Sequence, residues 1–132
     1  MIDKAGDGEL RSGFEQHLQQ TREHVARLEQ VFQMHGEQPK GVTCPAIDGI
    51  IKEADEIAGD ISDQEVLDAA LVAAAQAVEH YEITRYGTLI AWARELGRSD
   101  CASVLEQTLN EEKATDEKLT MLAEARVNRK AA

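Results

Sequence analysis

Along most of the chain apolar residues recur every three or four positions, and three short breaks rich in glycine, serine and proline interrupt the pattern. That spacing keeps apolar side chains on one face of an α-helix, and no stretch shows the every-other-residue alternation of a half-buried strand. The breaks are GEQPKGVT at 36–43, GDIS at 59–62 and GRS at 97–99. Glycine closes helices and serine or threonine opens them, so the breaks predict helices over about 9–35, 44–58, 63–96 and 100–126. Ser62 with Glu65 fits a capping box, Thr43 can cap the second helix, and Pro45 is tolerated in a first turn. Three long helices and one short one, joined by short loops, predict a single all-α domain over residues 1–132, an antiparallel bundle.

A bundle helix presents the core with a line of residues stepping by three and four. In the first helix that line reads Leu10, Phe14, His17, Thr21, His24, Leu28, Val31. In the third it reads Val72, Ala75, Glu79, Glu82, Tyr86, Leu89, Ala93, and in the fourth Cys101, Leu105, Thr108, Glu112, Thr115, Leu119, Leu122, with Asp116 beside it. Each line is apolar at both ends and polar in the middle. The short second helix has an apolar face of Ile47, Ile50, Ile51, Ala54 and Ile57, with Glu53, Asp55 and Glu56 as its solvated side.

An unpartnered carboxylate in a core costs several kcal/mol unless it is paired, protonated or bound to a cation. Glu79, Glu82, Glu112 and Asp116 have few inward-facing bases to match them; Arg85 is the nearest on its helix and can reach outward instead. Iron or manganese would satisfy several carboxylates and one or two imidazoles together. Two other readings stay open: a hydrogen-bonded layer satisfied by Thr21, Thr108, Thr115, Tyr81 and Tyr86, or a layer that fixes register between subunits. His80 lies beside the line and is read as partly exposed; His35 at a helix end suits the helix dipole.

Composition narrows the functional classes. A formal net charge of −11 opposes both a nucleic-acid backbone and an anionic membrane as partner. Cys44 and Cys101 form no CxxC pair, which excludes a zinc knuckle or a disulfide framework and reads as two small hydrophobes at helix starts. No window approaches a membrane span, so the expectation is a cytoplasmic protein. The basic tail ARVNRKAA is expected to fray.

Several motifs are specific enough to compare with a family. DAALVAAAQAVEHYEITRYGTL (68–89) resembles the signature of the YciF-like family, bacterial stress-associated proteins of the ferritin-like superfamily. LEQTLNEEKATDEKLTMLA (105–123), FEQHLQQTREHVARLEQVF (14–32) and CPAIDGIIKEADEI (44–57) are similar to three further helices of that family. The resemblance implies a ferritin-like bundle, commonly dimeric, with a di-iron or manganese carboxylate centre. Its motifs nominate Glu79 and Glu82 from VEHYEI, Glu112 and Asp116 from EEKATD, and His17 and His24 from HLQQTREH. The chain departs from the pattern twice. Its start, MIDKAGDGEL, resembles the end of the family's first helix, so that one core helix is expected to be missing and to leave an apolar groove. Gln19 and Gln20 stand where the family carries at least one carboxylate. A second copy filling the groove, as a homodimer or larger homo-oligomer, is the expected remedy. The alternative is a non-catalytic helical interaction module that has lost a complete site.

Overall fold

The computed structural model describes residues 1–132 and contains no β-strand. A 3₁₀ turn at Ile2–Lys4 leads into α1 (Gly8–Met34), followed by α2 (Pro45–Asp60), α3 (Gln64–Glu95) and α4 (Ser99–Leu122). A π-helical turn at Ala123–Val127 joins α4 to a last short helix, α5 (Asn128–Ala131).

Local chemistry fixes the boundaries. The Asp7 carboxylate caps α1, accepting the N–H groups of Glu9 at 3.0 Å and Leu10 at 3.3 Å. Asp63, not Ser62, caps α3, accepting from Glu65 at 2.9 Å and Val66 at 3.1 Å. A carboxylate there also complements the helix dipole, which a hydroxyl does not. Cys44 rather than Thr43 occupies the cap position of α2, without a side-chain bond, and Pro45 opens the first turn. Gly36 (φ 73°) and Gly97 (φ 69°) follow α1 and α3 in the left-handed conformation that a side chain disfavours.

The contacts between helices give the topology. Gln16 meets Lys118, His24 meets Glu111 and Met34 meets Arg98, so α1 and α4 run antiparallel. Gln76 with Thr120 and Arg94 with Glu106 make α3 and α4 antiparallel as well. Helix α4 packs most extensively on α3 and also on α1, while α2 lies on the outer side of α3. There Ala54 is buried against α3's alanine face, but Ile51 and Ile57 remain 48% and 44% exposed. Where α1 and α3 diverge, an apolar groove of about 430 Å³ runs between them, lined by Leu28, Val31, Phe32, Leu89, Trp92 and Leu96.

The core is in two parts. One cluster gathers Leu10, Phe14, Leu71, Val72, Leu119 and Val127; the other gathers Tyr86, Ile90, Ala93, Cys101, Ala102 and Leu105. The polar middles of α1, α3 and α4 lie between them. Two details differ from the sequence expectation. Leu89 is 39% exposed and Ile90 holds the core position, because a four-residue step from Tyr86 returns closer to the same face than a three-residue step. The C-terminal segment is docked instead of frayed: Val127 is buried, and Arg126 and Lys130 reach Asp7 Oδ2 at 2.8 and 3.1 Å.

Candidate metal centre

Seven residues apart on α1, His17 and His24 face the same way, as a two-turn spacing requires. Glu79 and Glu82 are one turn apart on α3, and Glu112 projects from α4. One ligand atom each from His17, Glu79, Glu82 and Glu112 lies within 4.8 Å of the others. His17 Nε2 is 3.1 Å from Glu79 Oε1 and 3.8 Å from Glu112 Oε2. Its other ring nitrogen, Nδ1, is 3.1 Å from Thr115 Oγ1, which holds the ring in place. His24 sits deeper along the same line, with Nδ1 3.0 Å from Glu112 Oε1 and Nε2 2.8 Å from Glu111 Oε2.

These groups are removed from water without being satisfied. Glu79 is 2% exposed and Glu112 is fully buried. Glu79 Oε2, both carboxylate oxygens of Glu112 and His24 Nδ1 have no hydrogen-bond partner. The close approach of His24 Nδ1 to Glu112 therefore lacks hydrogen-bond geometry. Orphaned buried acceptors are rare, and each costs roughly 1–3 kcal/mol, more when charged.

The protonation behaviour points the same way. Burial raises the Glu79 carboxyl above its ordinary value, with Glu112 adding to the rise and His17 opposing it. Burial, then the negative charges of Glu112 and Glu79, pushes Glu82 up to about 7. Tyr86 is pushed up to about 12 by burial and by Glu82 and Glu112. Burial works against charge on His17, but its contact with Glu79 wins and raises it; His24 is raised likewise by Glu112 and Glu111. The pocket holds on to protons because its carboxyl groups are buried and crowd one another. A bound cation would replace them.

The sequence-nominated residues divide accordingly. His17, Glu79, Glu82 and Glu112 are brought together, and His24 adjoins them through Glu112. Asp116 is not with them. Its carboxylate accepts from Gln76 Nε2 at 3.0 Å and lies 3.1 Å from His80, because two successive four-residue steps, Thr108 to Glu112 to Asp116, carry it about 80° round α4. Gln19 faces solvent, while Gln20 lies beside His17 at the edge of a small pocket. His80 is exposed, as its position off the inward line implied.

Nor do the hydroxyl groups satisfy the acids. Thr21 donates to the His17 carbonyl, Thr108 accepts from Arg27, Thr115 meets His17, and Tyr81 pairs with Cys44. The base next to the site is Arg27, at its outer edge, while Arg85 lies 4.9 Å over the Tyr81 ring. Arg27 grips Glu111 with two hydrogen bonds of 2.7 and 2.9 Å. Sequence reasoning passed over both. The available signal was His24 and Arg27, three residues apart on α1, opposite the adjacent pair Glu111 and Glu112. The donor set of imidazole and carboxylate, with orphaned oxygens aimed inward, fits a hard or borderline cation such as iron or manganese.

Comparison with known proteins identifies the lineage. A family model described as Domain of unknown function (DUF892) matches residues 1–132. The chain belongs to the DUF892 family. It is 47% identical over 123 residues to Protein YciF of Escherichia coli strain K12, covering 92% of this chain and 74% of that one. Two solved structures share the fold. The E. coli stress protein YciF superposes with a TM-score of 0.91 at 44% identity, over 96% of this chain and 80% of that one. YcfI from Rhodopseudomonas palustris gives 0.89 at 59% identity, over 90% and 76%. The all-α bundle of this DUF892 chain is thus that of the YciF-type proteins. None of its helices is long and apolar enough to cross a membrane.

Proposed function

We propose that this chain is a ferritin-like stress-response protein that binds iron or manganese between α1, α3 and α4. The observation that carries the reading is the set of buried atoms without partners: Glu79 Oε2, Glu112 Oε1 and Oε2, and His24 Nδ1. Three of them belong to members of the His17, Glu79, Glu82, Glu112 cluster, and His24 Nδ1 adjoins it through Glu112. Glu79 and Glu82 would bind from α3, Glu112 from α4 and His17 Nε2 from α1, with Thr115 orienting the imidazole. Glu112 would offer a carboxylate whose two oxygens make no hydrogen bond within the chain. A bound metal would supply Lewis acidity and, for iron, one-electron chemistry. The two apolar clusters flank the site on either side. The stress role is drawn from the E. coli relative, which is described as a stress protein.

The groove between α1 and α3 supports self-association as a homodimer or larger homo-oligomer, since its apolar lining is exposed in one chain. This would be compatible with a scaffold role even without metal.

Protein from iron- or manganese-supplemented cells, analysed for bound metal, tests the metal reading. At least one ion per chain is expected, together with a rise in Tm when Fe(II) or Mn(II) is added to chelated protein. The Glu112→Gln variant should lose most of that rise. Less than about a tenth of an ion per chain with no shift in Tm removes the reading, whatever the oligomeric state.

A further inference from the structure

Most of the charged network around the site does not face the cluster directly. Behind His24 stand Glu111 and then Arg27, in a line leading from the core to the surface. His24 is 3% exposed. Its Nε2 meets Glu111 Oε2 at 2.8 Å in good hydrogen-bond geometry. Arg27 binds both oxygens of that carboxylate, at 2.7 and 2.9 Å, and contacts Thr108 Oγ1 at 3.3 Å with the same fork. Glu23, one turn back on α1, lies 3.8 Å from Arg27 at the solvent edge. On the inner side, His24 Nδ1 is 3.0 Å from Glu112 Oε1 without a hydrogen bond.

The two ring nitrogens are therefore differently placed. An Arg-gripped carboxylate stays ionised and fixed in orientation, so it is a permanent acceptor for one imidazole N–H. A neutral imidazole has only one such proton. If it points to Glu111, the lone pair of Nδ1 points into the cluster. A lone pair and a carboxylate oxygen 3.0 Å apart repel each other unless a proton or a metal ion is shared between them, and a metal ion displaces that proton.

We infer that Arg27 and Glu111 are positioning residues that hold the His24 proton on Nε2 and so present Nδ1, beside Glu112, as a further metal-ligating atom. The inference rests on the metal-binding reading for its purpose. The placement of the proton can be tested without any metal.

The experiment uses the full chain, labelled with ¹⁵N-histidine and treated with chelator. The buried Nε2 proton of His24 should give a slowly exchanging imidazole resonance. It should persist in Glu111→Gln, whose amide oxygen still accepts, and vanish in Glu111→Ala. Arg27→Lys keeps the charge but loses the two-pronged grip, and should weaken the resonance while circular dichroism shows the helices intact. In calorimetric titration with Mn(II), Glu111→Ala should bind about 10- to 100-fold more weakly than the parent, and Glu111→Gln should recover much of the loss. A parent that shows no protected Nε2 proton, or a Glu111→Ala variant that keeps both the resonance and the parent's affinity, overturns the inference. If Glu111→Ala does not fold, Arg27→Lys decides by the same two readouts. If the parent takes up no Mn(II), the metal reading fails separately, and the proton resonance still decides what Glu111 does.

Discussion

Replacing Glu82 by glutamine should make the metal-free chain more stable at pH 8 and leave it almost unchanged at pH 5. The substitution keeps shape and removes a charge from the most negative part of the core. A carboxyl raised from 4.5 to about 7 in the folded chain keeps a proton that the unfolded chain releases. Stability therefore falls as pH climbs between those values, and the full penalty persists above them. At ~1.4 kcal/mol per unit the penalty would be about 3 kcal/mol. Glu82 is only half-buried, so solvent screening lowers the expected figure to about 1–2 kcal/mol. For a chain of this length that is a gain in Tm of roughly 3–7 °C at pH 8. His17 and His24 steepen the same trend, since a raised imidazole contributes stability below its unfolded value that is lost as pH passes its folded one. Both imidazoles remain in the variant, His17 raised less once the Glu82 charge is gone, so its pH profile should flatten without becoming level. Thermal melts in chelator at pH 5 and pH 8, on parent and variant, provide the measurement. An equal difference at both pH values, or a variant less stable at pH 8, would refute the account of the cluster as a site of unrelieved negative charge.

Two further outcomes follow from structure outside the cluster. Asp68 accepts the backbone N–H groups of Gly6 and Asp7, each at 2.7 Å, so Asp68→Ala should cost about 2–4 kcal/mol in urea denaturation, and Asp68→Asn less; a loss under about 0.5 kcal/mol would contradict the role given to this carboxylate. If α1 and α3 meet a second copy through their groove, light scattering should give the parent a mass at least twice 14.5 kDa, and the double variant Trp92→Glu, Leu96→Glu should return it to 14.5 kDa; a parent monomeric at about 50 µM would exclude the association.

The bundle was legible because its helices are long and their punctuation is strong. Glycine at 36 and 97 and the three-and-four spacing left little freedom. The inward direction of Glu79, Glu82 and Glu112 was also legible, from their place between apolar neighbours. What periodicity could not resolve was azimuth within a turn. Asp116 follows Thr108 and Glu112 by two successive four-residue steps, and the accumulated offset of about 80° turns it to Gln76 and His80. Glu111 and Arg27 were overlooked for the same reason. Each lies off its helix's inward line, and only the distance between α1 and α4 brings them to His24. The caps show a different limit: Ser62, Asp63 and Thr43 are all competent by type, and the choice between neighbours depends on backbone angles that the residue names do not reveal.

The π-helical turn at Ala123–Val127 has a bearing on how the end of the molecule is held. Up to Leu119 the buried line of α4 alternates steps of four and three, which cancel each other's drift. From Leu119 to Ala123 to Val127 it takes two steps of four in succession. In a regular α-helix each such step overshoots by about 40°, and the last buried residue would swing well round toward the solvent. A locally wider turn takes back part of that rotation. The turn works as a phase correction, keeping Val127 in step with the core while Arg126 and Lys130 arrive on the side where Asp7 waits. Residues 7 and 126–130, far apart in sequence, are clasped because the helix was allowed to lose count by a fraction of a turn.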